Sequence, residues 1–265
     1  MKGDKSMDFT GRTVVVTGGS SGIGRSICVR FAEHGANVVV CGRNVEQLKK
    51  TVEACEKTGA KAIYVKMDVT SEADANEMAK KAAETFGTLD IIVNNAGIVN
   101  TIKPIEETTV DEWDLCMAVN AKGPFICSKA VLPYMRKQNY GRILVTSSQC
   151  GKKPFANLAS YNASKAAAIL FSQTLAAEVC DQNIRVNIVL PGDVNTEMVD
   201  GEAKLIAERT GQDVSEVRKS IGAQVPIGHA AEPEEIADIF LILASDYANY
   251  MTGATINATG GEMYY

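Results

Sequence analysis

Tyr161 and Lys165 stand four residues apart in Tyr161-Asn162-Ala163-Ser164-Lys165, where an alanine-rich apolar run begins that reads as a buried helix. Positions i and i+4 share a helix face, so a phenol and an ammonium can converge on one point. A free phenol titrates near ~10 and is a poor base at neutrality, whereas a fixed cation beside it favours the phenolate. Ser148 lies upstream, just beyond the strand-like run 142–145, where a hydroxyl can hydrogen-bond a substrate oxygen. The chemistry these groups suggest is proton transfer to or from an oxygen. A lone Tyr-x-x-x-Lys pair is common, and its plain alternative is an ordinary helix surface. The rest of the chain has to supply the context.

That context is an alternation of short buried strands and helices. Thr13-Val14-Val15-Val16 is a β-branched run without polar interruption, the pattern of a strand buried on both faces. A helix with Ile23, Ile27 and Phe31 on one face follows. Further strands are predicted near 37–41, 62–65, 90–93, 143–146, 184–190 and 254–257. Helices are predicted near 45–57, 72–86, 110–138, after Tyr161, and at 233–243. Short links between alternating elements predict an α/β fold, a doubly wound parallel sheet with helices on both faces. Residues 1–10 read as an N-terminal extension and 11–265 as a single domain. The polar stretch 195–225 reads as a mobile lid with one short helix.

Between the first strand and first helix, Gly18, Gly22 and Gly24 are spaced G-x-x-x-G-x-G. Such glycines allow a tight turn and close approach of backbone to a pyrophosphate over the helix N-terminus. Asp68 and Val69 lie past the third strand, and Asn95, Ala96 and Gly97 past the fourth. Ligands in such sheets bind at those carboxyl ends. The second strand ends in Gly42-Arg43-Asn44 with no acid to hold two ribose hydroxyls. Arg43 can take a phosphate in its planar fork, which favours NADP(H) while NAD(H) remains possible.

Charge and composition exclude other classes. The net charge is −5 with no basic cluster, against a nucleic-acid surface. No apolar run reaches the length of a membrane span, so no membrane partner is expected. Seven scattered cysteines with no C-x-x-C spacing fit a reducing, cytoplasmic setting rather than disulfides or zinc. Two histidines, His34 and His229, read as structural, so no metal is expected.

Taken as a set, TGGSSGIG, Asp68, the Asn94–Gly97 motif NNAG, Asn120, Ser148, YNASK and Pro191-Gly192-Asp193-Val194-Asn195-Thr196 resemble the short-chain dehydrogenase/reductase family, in its small Rossmann-type form. The resemblance runs from Thr13 to Gly261. It implies that Tyr161 is the general acid in reduction and base in oxidation, and that Lys165 lowers its pKa and binds the nicotinamide ribose. Ser148 would orient the carbonyl or alcohol oxygen, and Asn120 would hold a water linking Lys165 to solvent. The turn residues Gly18, Ser20, Ser21, Gly22, Ile23 and Gly24 would bind the cofactor, with Arg43, Asn44, Asp68, Val69, Asn95, Ala96 and Gly97. Pro191, Gly192, Val194 and Thr196 would hold the nicotinamide end.

Substrate would be a small molecule met by Cys150, Phe155 and Met198, an apolar wall suited to a hydroxysteroid, bile acid or other apolar secondary alcohol. The acids Glu197, Asp200 and Glu202 read as a solvated face. A 3-oxoacyl-carrier-protein reductase is the alternative, weakened because Pro133 and Ala177 stand where such reductases often carry arginine; Arg136 and Lys137 lie nearby. A non-catalytic redox sensor would be expected to lose Tyr161, Lys165 or Ser148, and an epimerase or dehydratase to carry a longer substrate domain. The resemblance also implies a homotetramer, or a homodimer, through the two long helices, with Met263-Tyr264-Tyr265 covering a neighbour's site. A sedimentation mass of one chain would defeat that expectation.

Overall fold

Five consecutive residues, Thr13–Thr17 (β1), are β-branched, a run that crowds a helix but fits a pleated surface, and all five are buried. In the computed structural model, which describes residues 7–223 and 225–265, this strand pairs in parallel with Asn37–Gly42 (β2) and Ile91–Asn94 (β4). Ala62–Lys66 (β3), Gly141–Thr146 (β5), Ile184–Pro191 (β6) and Thr255–Ala258 (β7) complete one sheet of order β3-β2-β1-β4-β5-β6-β7. Every neighbouring pair is parallel, as the alternation predicts.

The helices cover both faces. On one side, Val14, Val16, Val38 and Val40 pack against Ile27 and Phe31 of α1 (Gly22–Glu33) and Phe240 and Leu241 of α9 (Pro233–Ala244). On the other, Val15, Val39 and Ile92 meet Met78 of α3 (Glu72–Phe86) and Val131 and Met135 of α5 (Gly123–Gln138). Alternate residues of each central strand therefore point to opposite cores, and each buried valine contributes about 1.5–3 kcal/mol over exposure. The chain also winds through α2 (Val45–Glu56), α4 (Val110–Met117), α6 (Ala159–Val179), α7 (Glu197–Thr210) and α8 (Val214–Ser220). Winding runs outward from β1 through β2 and β3, then restarts on the far side of β1 at β4. Loops after β1 and β4 therefore diverge and open a crevice.

Three expectations need correction. Residues 1–6 lie outside the described residues, but Phe9 is no extension: it is buried and packs edge-on against Phe31, ring centroids 4.9 Å apart. The stretch 195–225 holds two helices, α7 and α8, whose Ala203, Ala207 and Val217 bury one another. Arg218 also ties α8 to Asp200 of α7 at 2.7 Å, so the segment is folded rather than loose. At the C-terminus, Met263 is buried with Val145, Ile188 and Leu190 of its own chain, leaving Tyr264 and Tyr265 exposed.

The 110–138 helix forms as predicted but changes pitch. Between α4 and α5 the residues Ala118–Lys122 make a wider, π-type turn, after which Pro124 starts α5. The widened turn holds Asn120, 1% exposed, toward the interior. Among the described residues no helix is long and apolar enough to cross a membrane.

Candidate active site

The turn from β1 into α1 is shaped by glycine. Gly18 and Gly22 take φ of +68° and +48°, where a side chain is strained. A Cβ on Gly24 would stand 2.2 Å from the Gly18 carbonyl oxygen, so that position has no room for one. Ser21, the N-cap of α1, makes no side-chain cap bond, and the first turn carries no acid. Free backbone N–H groups and the positive helix end therefore face the crevice, a cradle suited to a phosphate.

Asn95 locks that turn to the sheet. Its amide donates to the Thr17 and Gly18 carbonyls at 3.2 and 3.4 Å, and its Oδ1 accepts from Thr146 at 3.3 Å. Thr17 Oγ1 in turn accepts from the Asn95 and Ala96 backbone N–H groups. Three strand ends, β1, β4 and β5, are thus pinned by two side chains. Thr17 was not among the sequence candidates, though its place directly before the glycine turn carries the signal.

One cavity of about 390 Å³ spans the crevice. At one end it meets Gly18, Ser20, Ser21, Gly22, Ile23, Gly24 and Arg43, with Asp68, Val69, Asn95, Ala96 and Gly97 alongside. At the other it meets Ser148, Cys150, Tyr161 and Lys165, with Pro191, Gly192, Val194, Thr196 and Met198. Three candidates fall outside: Asn120 is buried behind the wall, and Asn44 and Phe155 are engaged elsewhere. Asn44 caps α2, its side chain accepting from Gln47 N–H at 3.2 Å, because an Asn before a helix serves the orphan donors. Phe155 does not line the cavity; its ring lies beneath Lys153 Nζ, 5.2 Å from the centroid.

Around Tyr161 the groups are held from several directions. Ser148 begins a short helical turn and its Oγ accepts from Cys150 N–H at 3.2 Å. Lys165, 3% exposed, donates from Nζ to the Thr146 carbonyl at 3.0 Å and lies 5.6 Å from the Tyr161 ring centroid. Ser147 fixes the same turn of α6 by donating to the Lys165 carbonyl. Asn120 accepts from Ile98 N–H at 2.8 Å and donates to the Ile98 carbonyl and to Ser164 Oγ at 3.1 Å. It therefore ties the loop after β4 to the helix that carries Tyr161. A Cβ on Gly97 would fall 3.2 Å from Lys165 Nζ and 3.3 Å from Asn120 Oδ1, so both polar atoms border the space that this glycine leaves.

Electrostatics correct one expectation. Burial raises the Tyr161 phenol above its usual range, with Cys150 and Glu202 pushing the same way and the Ser148 hydrogen bond opposing. Burial also lowers Lys165 to about 8. Desolvation dominates both shifts, so the phenol of the cofactor-free chain is raised rather than lowered.

A second correction concerns the lid. Glu202, expected on a solvated face, lines the cavity one helical turn after Met198. The i, i+4 spacing from Met198 carries that information once Met198 is placed in the wall. Burial raises Glu202 to about 7, and Asp193 adds to the effect. Asp193 and Glu262 are also raised, both chiefly by burial. The wall is therefore mixed rather than apolar. Among the described residues no group of three or more His, Cys, Asp or Glu could hold a metal ion.

Comparison with known proteins agrees with this geometry. A family model described as short chain dehydrogenase matches residues 12–205. An uncharacterized oxidoreductase of Thermotoga maritima is 40% identical over 97% of this chain and 99% of its own length. The 2,5-dichloro-2,5-cyclohexadiene-1,4-diol dehydrogenase LinX of Sphingobium indicum is 36% identical over 96% of each chain. A crystal structure of NAD+-bound xylitol dehydrogenase superposes with a TM-score of 0.91 at 31% identity, covering 96% of this chain and 99% of that one. With its glycine turn, its Tyr161–Lys165 pair and its parallel sheet, the chain belongs to the short-chain dehydrogenase/reductase family.

Proposed function

We propose that this chain interconverts a secondary alcohol and a ketone with NADP(H) as the favoured cofactor and Tyr161 as the proton donor and acceptor. One observation carries the reading: Ser148, Tyr161 and Lys165 meet in the same cavity as a glycine cradle at an uncapped helix N-terminus. When bound, the nicotinamide supplies or accepts the hydride. Tyr161, kept protonated at neutrality by burial, gives its proton to a carbonyl oxygen in reduction, and once ionised to the phenolate takes the alcohol proton in oxidation. Ser148 holds that oxygen. Lys165 and Asn120, facing each other across the space at Gly97, accommodate a bridging water that returns the proton to solvent. Asp68 keeps its Oδ1 on Thr70, leaving the other oxygen for the adenine end. Val194 and Thr196 border the nicotinamide end.

The cofactor preference rests on Arg43, which borders the cavity where β2 ends without an acid. Arg43→Asp is expected to shift the NADP/NAD ratio of kcat/KM toward NAD by about 10- to 100-fold, because it replaces a phosphate-binding fork with a charge that repels phosphate. An unchanged ratio would remove the assignment.

For the substrate, Cys150, Leu158 and Met198 support a carbon skeleton, as in a hydroxysteroid or other apolar alcohol, while Glu202 and Asp193 require polar groups on it. The carrier-protein reading is weaker, since Arg136 is engaged with Gln182 at 2.9 Å. The test is reduction of NADP+ and NAD+ across hydroxysteroids, polyols, simple secondary alcohols and 3-hydroxyacyl thioesters. Turnover confined to thioesters would replace the substrate reading. Tight nucleotide binding without turnover on anything, in either direction, would return the sensor reading.

A further inference from the structure

Three carboxyl groups from distant segments gather near one another: Asp193 after β6 and Glu202 on α7 line the cavity, and Glu262 near the C-terminus lies against Gly192 and the Asp193 backbone without lining it. Two of them have donors within the chain. Asp193 takes a hydrogen bond from the Gly222 backbone and feels Arg218. Glu262 accepts from Gln149 Nε2 at 3.3 Å and from the Asp193 backbone. Glu202 has neither a hydrogen bond nor an ion pair with any described residue, although it stands in the wall with Tyr161 and Cys150. Its neighbour on the same helix, Asp200, points away and pairs with Arg218.

A partly buried carboxyl without an internal donor is left to solvent or to a ligand, and a fold retains one most readily where a ligand supplies the missing partner. The partner here has to be a donor carried by the molecule in the cavity, because Glu202 and Tyr161 line the same space. An anion needs Glu202 protonated and an ammonium needs it ionised, so each fits only one state of a carboxyl that burial raises to about 7. A hydroxyl suits either state of Glu202, donating to the carboxylate or accepting from the acid.

We propose that Glu202 binds a second hydroxyl of the substrate, so that the substrate class is a neutral diol or polyol oxidised at one carbon beside a bound hydroxyl. This inference rests on the oxidoreductase reading above. In the oxidative direction the reacting carbon loses its hydride to the oxidised nicotinamide and its O–H proton to the Tyr161 phenolate, leaving a hydroxyketone and the neutral phenol. Glu202 exchanges no atom in that step. Met198 and Cys150 meet the carbon skeleton, and Glu202 selects among alcohols by what they carry next to the reacting centre.

The experiment compares kcat/KM for a vicinal cyclohexanediol, cyclohexanol and 2-aminocyclohexanol, with wild type, Glu202→Gln and Glu202→Leu, each with saturating cofactor. Wild type is expected to prefer the diol to cyclohexanol by about 10- to 100-fold, the range for a hydrogen bond to an ionisable group. Glu202→Leu is expected to erase that ratio, and Glu202→Gln, which still hydrogen-bonds, to retain part of it. A merely structural role would lower turnover of all three alcohols together and leave the ratio unchanged, and that result overturns the proposal. A wild-type preference for the amino alcohol or for cyclohexanol overturns it as well, while the oxidoreductase reading stands. No turnover of any alcohol, or of the corresponding ketones, overturns both.

Discussion

Replacing Tyr161 with Phe is expected to lower turnover by about 10²- to 10⁴-fold while cofactor affinity stays near its wild-type value. Phenylalanine keeps the ring in its packing and removes only the oxygen that exchanges the proton. The glycine turn, Arg43 and the loops after β3 and β4 meet the far part of the cavity, so nucleotide binding does not depend on that oxygen. Rapid-mixing turnover and fluorescence titration with the reduced nucleotide separate the two effects. Wild-type rates in this variant would remove the central assignment, and lost binding would show that the ring itself shapes the cradle. The same assignment has a signed pH dependence in the wild type. Burial keeps the phenol protonated at neutrality, so ketone reduction starts with its proton in place. Alcohol oxidation needs the phenolate and is expected to speed up as pH rises through the range in which reduction stays level or falls.

The second large effect is expected at Lys165. Lys165→Met should depress turnover by 100-fold or more, roughly, yet raise the melting temperature of the cofactor-free protein at pH 7 by about 5 °C. The ammonium is 3% exposed, is held by a single hydrogen bond to the Thr146 carbonyl, and has no carboxylate partner among the described residues. Burying such a charge destabilises the fold, and an unbranched apolar side chain of similar length relieves it. The pH window follows from the direction of the shift. Lys165 titrates at about 8 in the fold and at 10.5 in a free chain. Between those values the unfolded chain binds more protons, so wild-type stability gains with rising pH. The advantage of the methionine variant is therefore full below about pH 8 and shrinks across the interval up to 10.5. Calorimetry at several pH values checks this, and a melting temperature equal to or below wild type at pH 7 would refute it. A residue kept at a cost to the fold is what a stability–activity trade-off leads one to expect in a reaction centre.

Glu202 links these two predictions to substrate choice. It raises the phenol that Tyr161 offers and carries no internal partner, so the same carboxyl affects proton transfer and recognition. Lid and reaction centre are on that account one unit. The helix α7, tied to α8 through Asp200 and Arg218, presents Met198 and Glu202 to the cavity from one face.

What the sequence determined by itself is what local chemistry encodes. The β-branched runs at Thr13–Thr17 and Asn37–Gly42 can form only buried strands, and their alternation with helices leaves few topologies. Gly18, Gly22 and Gly24 announce a turn because a side chain at those points strains or collides. The spacing of Tyr161 and Lys165 puts both on one helix face whatever surrounds them. Tertiary structure alone decided what depends on distant neighbours. Asn44 reads from the sequence as a cofactor contact, and the docking of α2 makes it a helix cap. Phe155 had the composition of a pocket residue, but the path of its loop took it elsewhere. Glu202 lies on a polar helix with two possible solvent faces, and the packing of Ala203, Ala207 and Val217 turned it inward. The phenol and ammonium shifts followed chiefly from burial, to which Cys150 and Glu202 add a charge effect on the phenol once the fold sets them beside it. Periodicity and turn chemistry act over a few residues, whereas burial sums over every element that packs around a group.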